Sequence, residues 1–508
     1  MQAGGGAGTG RARLWLAVLM GVIALAAAGC GSDDEDSGGS GGGTESSAQP
    51  AETSEAPAAA PEDAPDPQPA VEPREGGSGT PIKIAIMSEC KGAFGSFDQQ
   101  NMAGAVAALS QFAGATPVSK TDPKKGFTGG AIGDHPLKLV GVGCGDDTAD
   151  TAIKETRRLM EQLDADVMIG PLSGDESIAI ANYAKEHPDK TFVDGAAGAQ
   201  DTTLKVQAPN FFRFNGDGAQ WNAGLGDTAY NKLGWRKAAV VADDYSFGWT
   251  SAAGFIAEFC AAGGQVTKRI FPPLNTTDYS SFAQQTPTDV DGTFVAVGGA
   301  GLIPYLKAYE QSKGPIEPKK FMGNLFWGTP GQFEQLGPRV ADVYIGGAGT
   351  AGDLDTPAAQ DYAKNIIGKW FTSWKPQGDA APQASSTFTY GYYVNTWGLI
   401  KGLEEVKGDI SDQSKLQEAL AKVELPAPYG TIKLDENRQA VLAVFDQQLY
   451  MNGDKLAVKT VTSIPAVDQT FGGTFGPDTP APGRKSPGCE KRDLPWLGKA
   501  QPVKVVGG

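Results

Sequence analysis

The side chains best suited to acid–base or metal chemistry, the histidines, are almost absent from this chain. Its 508 residues include two of them, His135 and His187. Each is followed by proline, in Gly133-Asp-His-Pro136 and Glu186-His-Pro188, and neither shares a motif with a serine or cysteine. Beyond residue 80 no Gly-x-Ser-x-Gly, His-Glu-x-x-His or phosphate-loop pattern occurs. We therefore expect no enzyme, no metal site and no cofactor.

A polar turn offers a different kind of chemistry, the binding of a small anion. Ser173-Gly174-Asp175 follows a short apolar segment and precedes a helical pattern. A hydroxyl, backbone N–H groups and a helix N-terminus can all face a carboxylate at such a turn. The same residues could instead only cap the helix.

Charge argues against a nucleic-acid partner. The formal net charge is −16, but residues 31–80 hold twelve acids and one base, Arg74. The rest of the chain is only mildly acidic and contains no basic run. Nucleic-acid binding needs clustered Lys and Arg, so we expect none.

The N-terminus predicts export. Arg11 and Arg13 precede an apolar run from Leu14 to Ala28, which ends in Ala27-Ala28-Gly29-Cys30. This pattern is typical of a secretory signal and is too short for a comfortable membrane span. A cysteine directly after small residues resembles a bacterial lipobox, although Ala27 stands where leucine is usual. Residues 1–29 are predicted to be a signal peptide and Cys30 the lipidated N-terminus; an ordinary secretion signal is the alternative.

The next segment, 30–80, is rich in Gly, Ser, Ala, Pro and acids. It cannot bury enough apolar surface to offset its chain entropy, so we predict a disordered tether.

Four cysteines follow Cys30, an even number that suggests two disulfides in an exported protein. Cys90 and Cys144 each end an apolar segment and could bridge if these are neighbouring parallel strands. Cys260 ends a helical pattern and Cys489 lies in a Pro/Gly-rich tail, so their bridge would hold the tail down.

From residue 81 short β-rich segments alternate with amphipathic ones, which predicts parallel sheets with crossover helices. A first set covers about 82–193 and a second begins near 219 with a helix over 219–233. Segments 441–450 and 456–461, separated by Asn452-Gly453, predict a late hairpin. Two successive α/β sets predict two lobes, with a cleft at the carboxyl ends of their strands.

Several motifs, taken in order, resemble one family. They are Ile169-Gly-Pro-Leu-Ser-Gly-Asp175, Phe211-Phe-Arg-Phe-Asn215, Val240-Val-Ala-Asp-Asp-Tyr-Ser-Phe-Gly248, Val297-Gly-Gly299, Lys320-Phe-Met-Gly323 and Tyr390-Gly-Tyr-Tyr393. Over about residues 81–460 the chain is similar to type I periplasmic binding proteins of the branched-chain amino-acid (Leu/Ile/Val) ABC importers.

The resemblance implies an α/β fold of two Rossmann-like lobes joined by three hinge strands, which close on a ligand. We place the crossings near Asn215, Leu325 and Asp435. Lobe one would then comprise 81–215 and 326–435, lobe two 216–325 and 436–495, and the tail 496–508.

The resemblance also implies site residues. In the family the serine matching Ser173 both caps the helix and contacts the ligand, beside Gly174 and Asp175. The turn Ala197-Gly198-Ala199 would contact carboxylate and ammonium groups, although Ala199 stands where the family has a hydroxyl. An aromatic residue, Phe247 or Tyr245, would close over the ligand.

One departure concerns the ligand itself. After Phe-Met-Gly the amino-acid binders carry an acid that pairs with the α-ammonium, but this chain reads Asn324-Leu-Phe-Trp327. Either Asp175, Asp243 or Asp244 replaces the acid, or the ligand is not an α-amino acid, because an unpaired buried ammonium is costly. A neutral amide or a carboxylate with an apolar body would suit Ser173, Phe247 and Trp327 better.

The expected function is that of a monomeric, extracytoplasmic solute-binding protein. It would be anchored through lipidated Cys30 to the outer face of the bacterial cell membrane. It would bind a branched-chain amino acid, or a related amide or carboxylate, and deliver it to an ABC permease. The alternative is a ligand-sensing module of the same fold acting with a separate signalling partner.

Overall fold

The structure is a computed structural model that describes residues 64–371 and 386–507. All of these belong to one compact unit, 56–508. The predicted signal peptide, Cys30 and most of the predicted tether lie outside the described residues. Within the described ranges, no helix combines the length and apolar character that a membrane crossing needs.

The strands, in chain order, are β1 (Ile82–Glu89), β2 (Ala115–Pro117), β3 (Phe127–Gly129), β4 (Ala131–Ile132), β5 (His135–Gly145), β6 (Val167–Ile169), β7 (Thr191–Val193), β8 (Phe211–Phe212), β9 (Lys237–Ala242), β10 (Gln265–Ile270), β11 (Gly292–Ala296), β12 (Phe321–Gly323), β13 (Tyr344–Gly346), β14 (Glu424–Ala427), β15 (Gly430–Leu434), β16 (Ala440–Asn452), β17 (Lys455–Val467) and β18 (Gln501–Pro502).

The α-helices are α1 (Asp98–Ala113), α2 (Ala149–Arg157), α3 (Gly174–Glu186), α4 (Asp201–Leu204), α5 (Leu225–Asp227), α6 (Ser246–Ala262), α7 (Ser280–Gln285), α8 (Leu302–Lys313), α9 (Phe333–Leu336), α10 (Pro357–Asp361), α11 (Ile367–Trp370), α12 (Thr387–Glu405) and α13 (Gln413–Leu420). Short π-helical turns follow α2, α5 and α10.

Two sheets carry the two lobes, and the predicted fold class is confirmed. The first has the order β4-β5-β1-β6-β7-β8 and is parallel except at β4. The second has the order β10-β9-β11-β12-β13-β16-β15-β14, parallel from β10 to β13, with β17 and β18 beside β16. Strands that are covered on both faces need continuous apolar segments, such as the fully buried Ala238–Ala242.

The chain first passes between the lobes after β8, where Arg213 pairs with Gln439 at the start of β16. The second crossing, expected near Leu325, lies later, because β13 pairs with β12 in the second sheet. Residues 326–346 therefore belong to lobe two, a correction of the predicted boundary. The chain then returns to lobe one, where α12 packs on β1 through a hydrogen bond from the Tyr392 hydroxyl to the Met87 carbonyl (2.7 Å).

Two end segments also differ from expectation. Residues 64–80, placed in the disordered tether, are extended and hydrogen-bonded to lobe one: the Val71 N–H donates to Gln111 and the Arg74 N–H to Gly114. This docking uses backbone groups rather than apolar side chains, so composition gave no sign of it. The predicted tail, 496–508, contributes β18 to the second sheet.

The predicted helix over 219–233 is broken. It forms a 3-10 turn at Gln220–Asn222, then α5 and a π turn. Gly224 adopts φ +98°, and its N–H, with that of Gly226, donates to the buried Glu258 carboxylate at 2.8–2.9 Å. The Glu258 carboxylate of α6 thus accepts hydrogen bonds from N–H groups that would donate to backbone carbonyls in a continuous helix.

Both predicted disulfides are present, Cys90–Cys144 and Cys260–Cys489. The first joins the carboxyl ends of the neighbouring strands β1 and β5. The second attaches the C-terminal segment to the end of α6. Before this bridge, the same segment accepts hydrogen bonds from Lys205 of lobe one at the carbonyls of Gly476 and Pro477.

Candidate functional site

Ser173 lies where β6 ends and α3 begins, at the floor of the cleft between the lobes. Its side chain is buried, and its backbone N–H donates to Glu89 Oε1 at 2.7 Å. The hydroxyl makes no capping hydrogen bond and has no other partner. The first turn of a helix also leaves backbone N–H groups without intrahelical acceptors. This combination can accept a carboxylate oxygen.

The two lobes touch next to Ser173. The Ser246 N–H of lobe two donates to Asp175 Oδ1 at 3.3 Å. A Cβ placed on Gly174 would lie 2.5 Å from Ser246 Oγ and 2.9 Å from the Ala199 side chain. Glycine is therefore needed for this close approach. Ser246, whose buried hydroxyl also lacks a partner, was missed although it lies between two residues singled out in the sequence.

The second predicted turn, Ala197-Gly198-Ala199, is fully packed. The Ala197 N–H donates to Asp194 Oδ2 at 3.0 Å, and the Ala199 carbonyl accepts from the buried Arg213 guanidinium at 2.7 Å. A Cβ on Gly198 would lie 2.4 Å from the Phe247 ring. The turn contributes backbone shape, since its alanine side chains offer no hydrogen bond.

Six aromatic rings from both lobes meet above this floor, and we call them the aromatic box. They are Phe94, Trp221, Tyr245, Phe247, Phe326 and Phe388. Neighbouring ring centroids in the box lie 5.6–6.2 Å apart, the range of favourable aromatic pairs. With the lobes closed, the volume left for the centre of a water molecule is about 10 Å³, so a solute must enter while the lobes are apart.

Trp327 does not belong to this box. It is fully buried in lobe two, and its indole N–H donates to the Val295 carbonyl at 3.1 Å. The 3-10 turn Leu325–Gly328, capped by Asn324, directs the neighbouring ring of Phe326 into the cleft instead. The prediction that Trp327 contacts the ligand is therefore not supported by its position.

The three acids proposed to replace the missing ammonium partner have different surroundings. Asp244 is bound by Arg484 and by the Trp249 indole. Asp175 accepts from Ser246. Asp243 is buried without a cation; one oxygen accepts from the Gly298 N–H at 2.7 Å, and the other has no partner. Burial raises the pKa of Asp243 well above its usual range.

Further acids lie under the lobe-one floor. Asp147 accepts from the N–H groups of Ala93 and Phe94, and burial raises its pKa to about 6. Burial raises the pKa of Glu176 to about 7, and that of Glu89 well above its usual range. Each carboxyl satisfies backbone groups of a cleft loop. In the described part of the chain, no three His, Cys, Asp or Glu side chains are arranged to hold a metal ion.

Sequence reasoning missed four rings of the box; one of them, Phe326, lies next to Trp327, which was predicted in its place. Phe94 precedes a predicted helix and Phe388 begins another, so both read as ordinary helix flanks. Trp221 was assigned to the continuous helix that the structure breaks. Their shared position becomes visible only when the strands bring these segments to one edge.

A family model described as periplasmic binding protein matches residues 81–451. The match covers more than half of the chain, and the chain belongs to this family. Solved structures that the chain resembles include substrate-binding proteins of ABC transporters. No curated protein sequence matches the chain significantly.

Three solved structures illustrate the likeness. An ABC transporter substrate-binding protein from Sphaerobacter thermophilus is 22% identical, with TM-score 0.63, covering 77% of this chain and 99% of the other. A solute-binding protein from R. palustris in complex with benzoate is 21% identical, with TM-score 0.60, covering 75% and 97%. A leucine-binding protein from Thermotoga maritima is 19% identical, with TM-score 0.60, covering 76% and 99%. Likeness at this identity establishes the shared fold.

Proposed function

We propose that this protein is an extracytoplasmic, lipid-anchored solute-binding protein that captures a small carboxylate with an aromatic or other apolar body and delivers it to an ABC importer. The observation that carries the proposal is the buried, unpartnered hydroxyl of Ser173, which follows directly on Leu172, a residue that lines the cavity of the aromatic box. The hydroxyl and the N-terminus of α3 would hold the carboxylate. The rings would cover the apolar body as the lobes close.

The surroundings of two of the three candidate acids support this class of solute over an α-amino acid. Asp244 is already bound by Arg484, and burial raises the pKa of Asp243 well above its usual range, which makes it a poor partner for an ammonium group. Asp175, which accepts from the Ser246 N–H, is the acid that an α-amino acid would use. The relative from R. palustris holds benzoate, a ligand with this combination of groups. An amino acid such as leucine is the competing ligand, which the relative from Thermotoga maritima is named for.

The solute class is tested by thermal-shift measurements on the full chain with benzoate, 4-hydroxybenzoate, benzamide and leucine. A ligand that binds only the folded state raises the melting temperature. We expect the two benzoates to do so, and a shift by leucine alone would overturn the carboxylate assignment.

Ser173→Ala tests the site directly. Loss of a hydrogen bond to a charged ligand costs about 1.5–3 kcal/mol, so affinity should fall tenfold or more in calorimetric titration. Thermal stability without ligand should hardly change. Ser312→Ala, an exposed serine on α8, is the matched control and should bind as the wild type does. Unchanged affinity in Ser173→Ala would remove this residue from the site.

The anchor is tested by Cys30→Ala. Lipidation of Cys30 predicts that the wild type fractionates with membranes and carries the mass of acyl chains at its N-terminus. The variant should be released in soluble form. If the wild type is instead cleaved and recovered in soluble form, residues 1–29 are an ordinary secretion signal and Cys30 is not lipidated.

A further inference from the structure

Two buried carboxyl groups lie directly behind the turn that carries Ser173. Glu89, the last residue of β1, accepts hydrogen bonds through Oε1 from the backbone N–H groups of Leu172 and Ser173, both at 2.7 Å. Glu176, in the first turn of α3, accepts through Oε1 from two N–H groups of the loop after β5, both at 2.9 Å. The two acids thus connect three loops of the lobe-one floor.

The two carboxyl groups also act on each other: burial and the charge of Glu176 raise the pKa of Glu89 well above its usual range. Two neighbouring buried carboxylates repel each other and offer only acceptors, so one of them is expected to carry a proton. Both side chains are fully buried, and neither forms an ion pair with Lys, Arg or His in the described ranges. Glu176 Oε2 has no donor of its own. The pair therefore holds one proton and one uncompensated negative charge close to the proposed carboxylate site.

Other groups around the pair do not supply a counter-charge. Those that face it from neighbouring elements are acids or hydroxyls, namely Asp147 after β5, Asp175 on α3, Tyr392 on α12 and Tyr245 of lobe two. From α1 the neutral amide of Asn101 reaches Glu89 at 3.4 Å, while Asp98 is paired with Lys124 at 2.9 Å. A ligand carboxylate would add a further negative charge to this wall.

We propose that Glu89 and Glu176 are positioning residues for Ser173 whose shared-proton pair takes up a second proton from solvent when a carboxylate solute binds, so that affinity for carboxylates increases as the pH falls. The proposal rests on the proposed function, since it requires the solute's carboxylate at Ser173. With both acids protonated the pair is neutral, Glu89 keeps a carbonyl oxygen for the two backbone N–H groups, and the floor no longer repels the ligand. Burial, which raises the pKa of Glu176 to about 7, makes the uptake accessible near neutral pH.

The test is calorimetric titration of the full chain with benzoate between pH 6 and 8, in buffers of different ionisation enthalpy. Uptake of one proton per ligand makes the heat depend on the buffer. It also strengthens binding by up to about tenfold per pH unit of decrease, by the linkage relation. Benzamide, which has the same ring without the charge, should show neither effect.

Variants separate this role from a merely structural one. Glu176→Gln and Glu89→Gln keep an acceptor oxygen for the backbone N–H groups but hold no titratable proton. We expect each to bind benzoate with a flat pH profile and no proton uptake. Asp166→Asn is the matched control, because burial also raises the pKa of Asp166 and it also accepts from a backbone N–H, that of Lys83, but it lies at the opposite end of β6 from Ser173; its profile should follow the wild type. The wild-type measurement stands by itself if a variant fails to fold.

The outcomes distinguish this inference from the proposed function. Benzoate or 4-hydroxybenzoate binding with no proton uptake and a flat profile in the wild type would overturn the coupling and leave the carboxylate class intact. A pH dependence that persists unchanged in both glutamine variants would likewise overturn it. If leucine or benzamide binds and no carboxylate probe binds at any pH, the proposed solute class fails and this inference fails with it.

Discussion

The two walls of the cleft are built from different chemistry. Lobe one presents a floor of loops held from below by buried acids, of which Glu89 and Glu176 are the centre. Lobe two contributes four of the six rings of the box, among them Phe247, which is in contact with both Tyr245 and Phe326. Hydrogen-bonded loops fix positions, whereas ring surfaces gain free energy only when water leaves them. Lobe one is thus suited to orient a solute and lobe two to favour closure over it.

The largest expected effect concerns Trp327, a core ring of lobe two that is adjacent in the chain to the cleft-facing ring of Phe326. Trp327→Ala should destabilise folding by about 3–5 kcal/mol, because it removes a fully buried indole, while ligand affinity of the folded fraction stays near that of the wild type. Phe326→Ala should lose ligand affinity with a smaller loss of stability. Denaturant melts and titrations of both variants check this.

If Trp327→Ala weakened binding as much as Phe326→Ala does, the boundary between core and cleft would be wrong. Tyr450→Ala, a half-buried ring on β16 remote from the box, controls for loss of an aromatic side chain in general.

Features that depend on residues close together in the chain were predictable from the sequence, whereas features that depend on contacts between distant residues were not. The late hairpin was predicted from its Asn452-Gly453 turn and is present as β16 and β17, because such a turn between two apolar segments leaves few alternatives. The Cys90–Cys144 disulfide followed from the ends of neighbouring strands. The second crossing could not be placed, since β13 is only three residues long and its assignment depends on pairing with β12.

The site shows the same division. Ser173, Gly198 and Phe247 follow strands in the order that the fold requires, so their meeting at one edge was predictable. The choice between Phe326 and Trp327 was not, because it depends on a single 3-10 turn and the Asn324 side chain that caps it. Glu89 was missed for a related reason: its role is visible only when the turn after β6 donates two N–H groups to it.

A single methyl group added at Gly198 should block the contact between the two walls. In Gly198→Ala the added methyl would lie 2.4 Å from Phe247 and 2.7 Å from Trp221. Such overpacking costs about 1–3 kcal/mol, and the cost would fall on the closed state, in which Phe247 of lobe two lies against this turn of lobe one. Affinity should drop about tenfold or more, and small-angle scattering should show a more open ligand-free molecule.

Gly368→Ala, where the structure gives an added methyl no neighbour within 4 Å, should change neither quantity. Equal affinity in Gly198→Ala and the wild type would mean that the rings do not approach the turn this closely in the ligand-bound state.

The smallest effect, per pH unit, concerns the acids on which the lobe-one wall depends. Burial raises the pKa of Asp194 and of Glu176 to about 7, above their values in the unfolded chain. The folded protein therefore binds more protons than the unfolded one between about pH 4.5 and 7, and the free energy of unfolding falls as the pH rises through this window, by about 1.4 kcal/mol per pH unit for each such group at most. The ligand-free protein should accordingly melt at a higher temperature at pH 5.5 than at pH 8.

Lobe two adds to this pH dependence through Glu258, whose pKa burial also raises to about 7. The slope of melting temperature against pH should therefore diminish but persist in Glu176→Gln. A melting temperature that increases from pH 5.5 to 8 would mean that these carboxylates are compensated in the folded state, and the electrostatic contrast between the two walls would not hold.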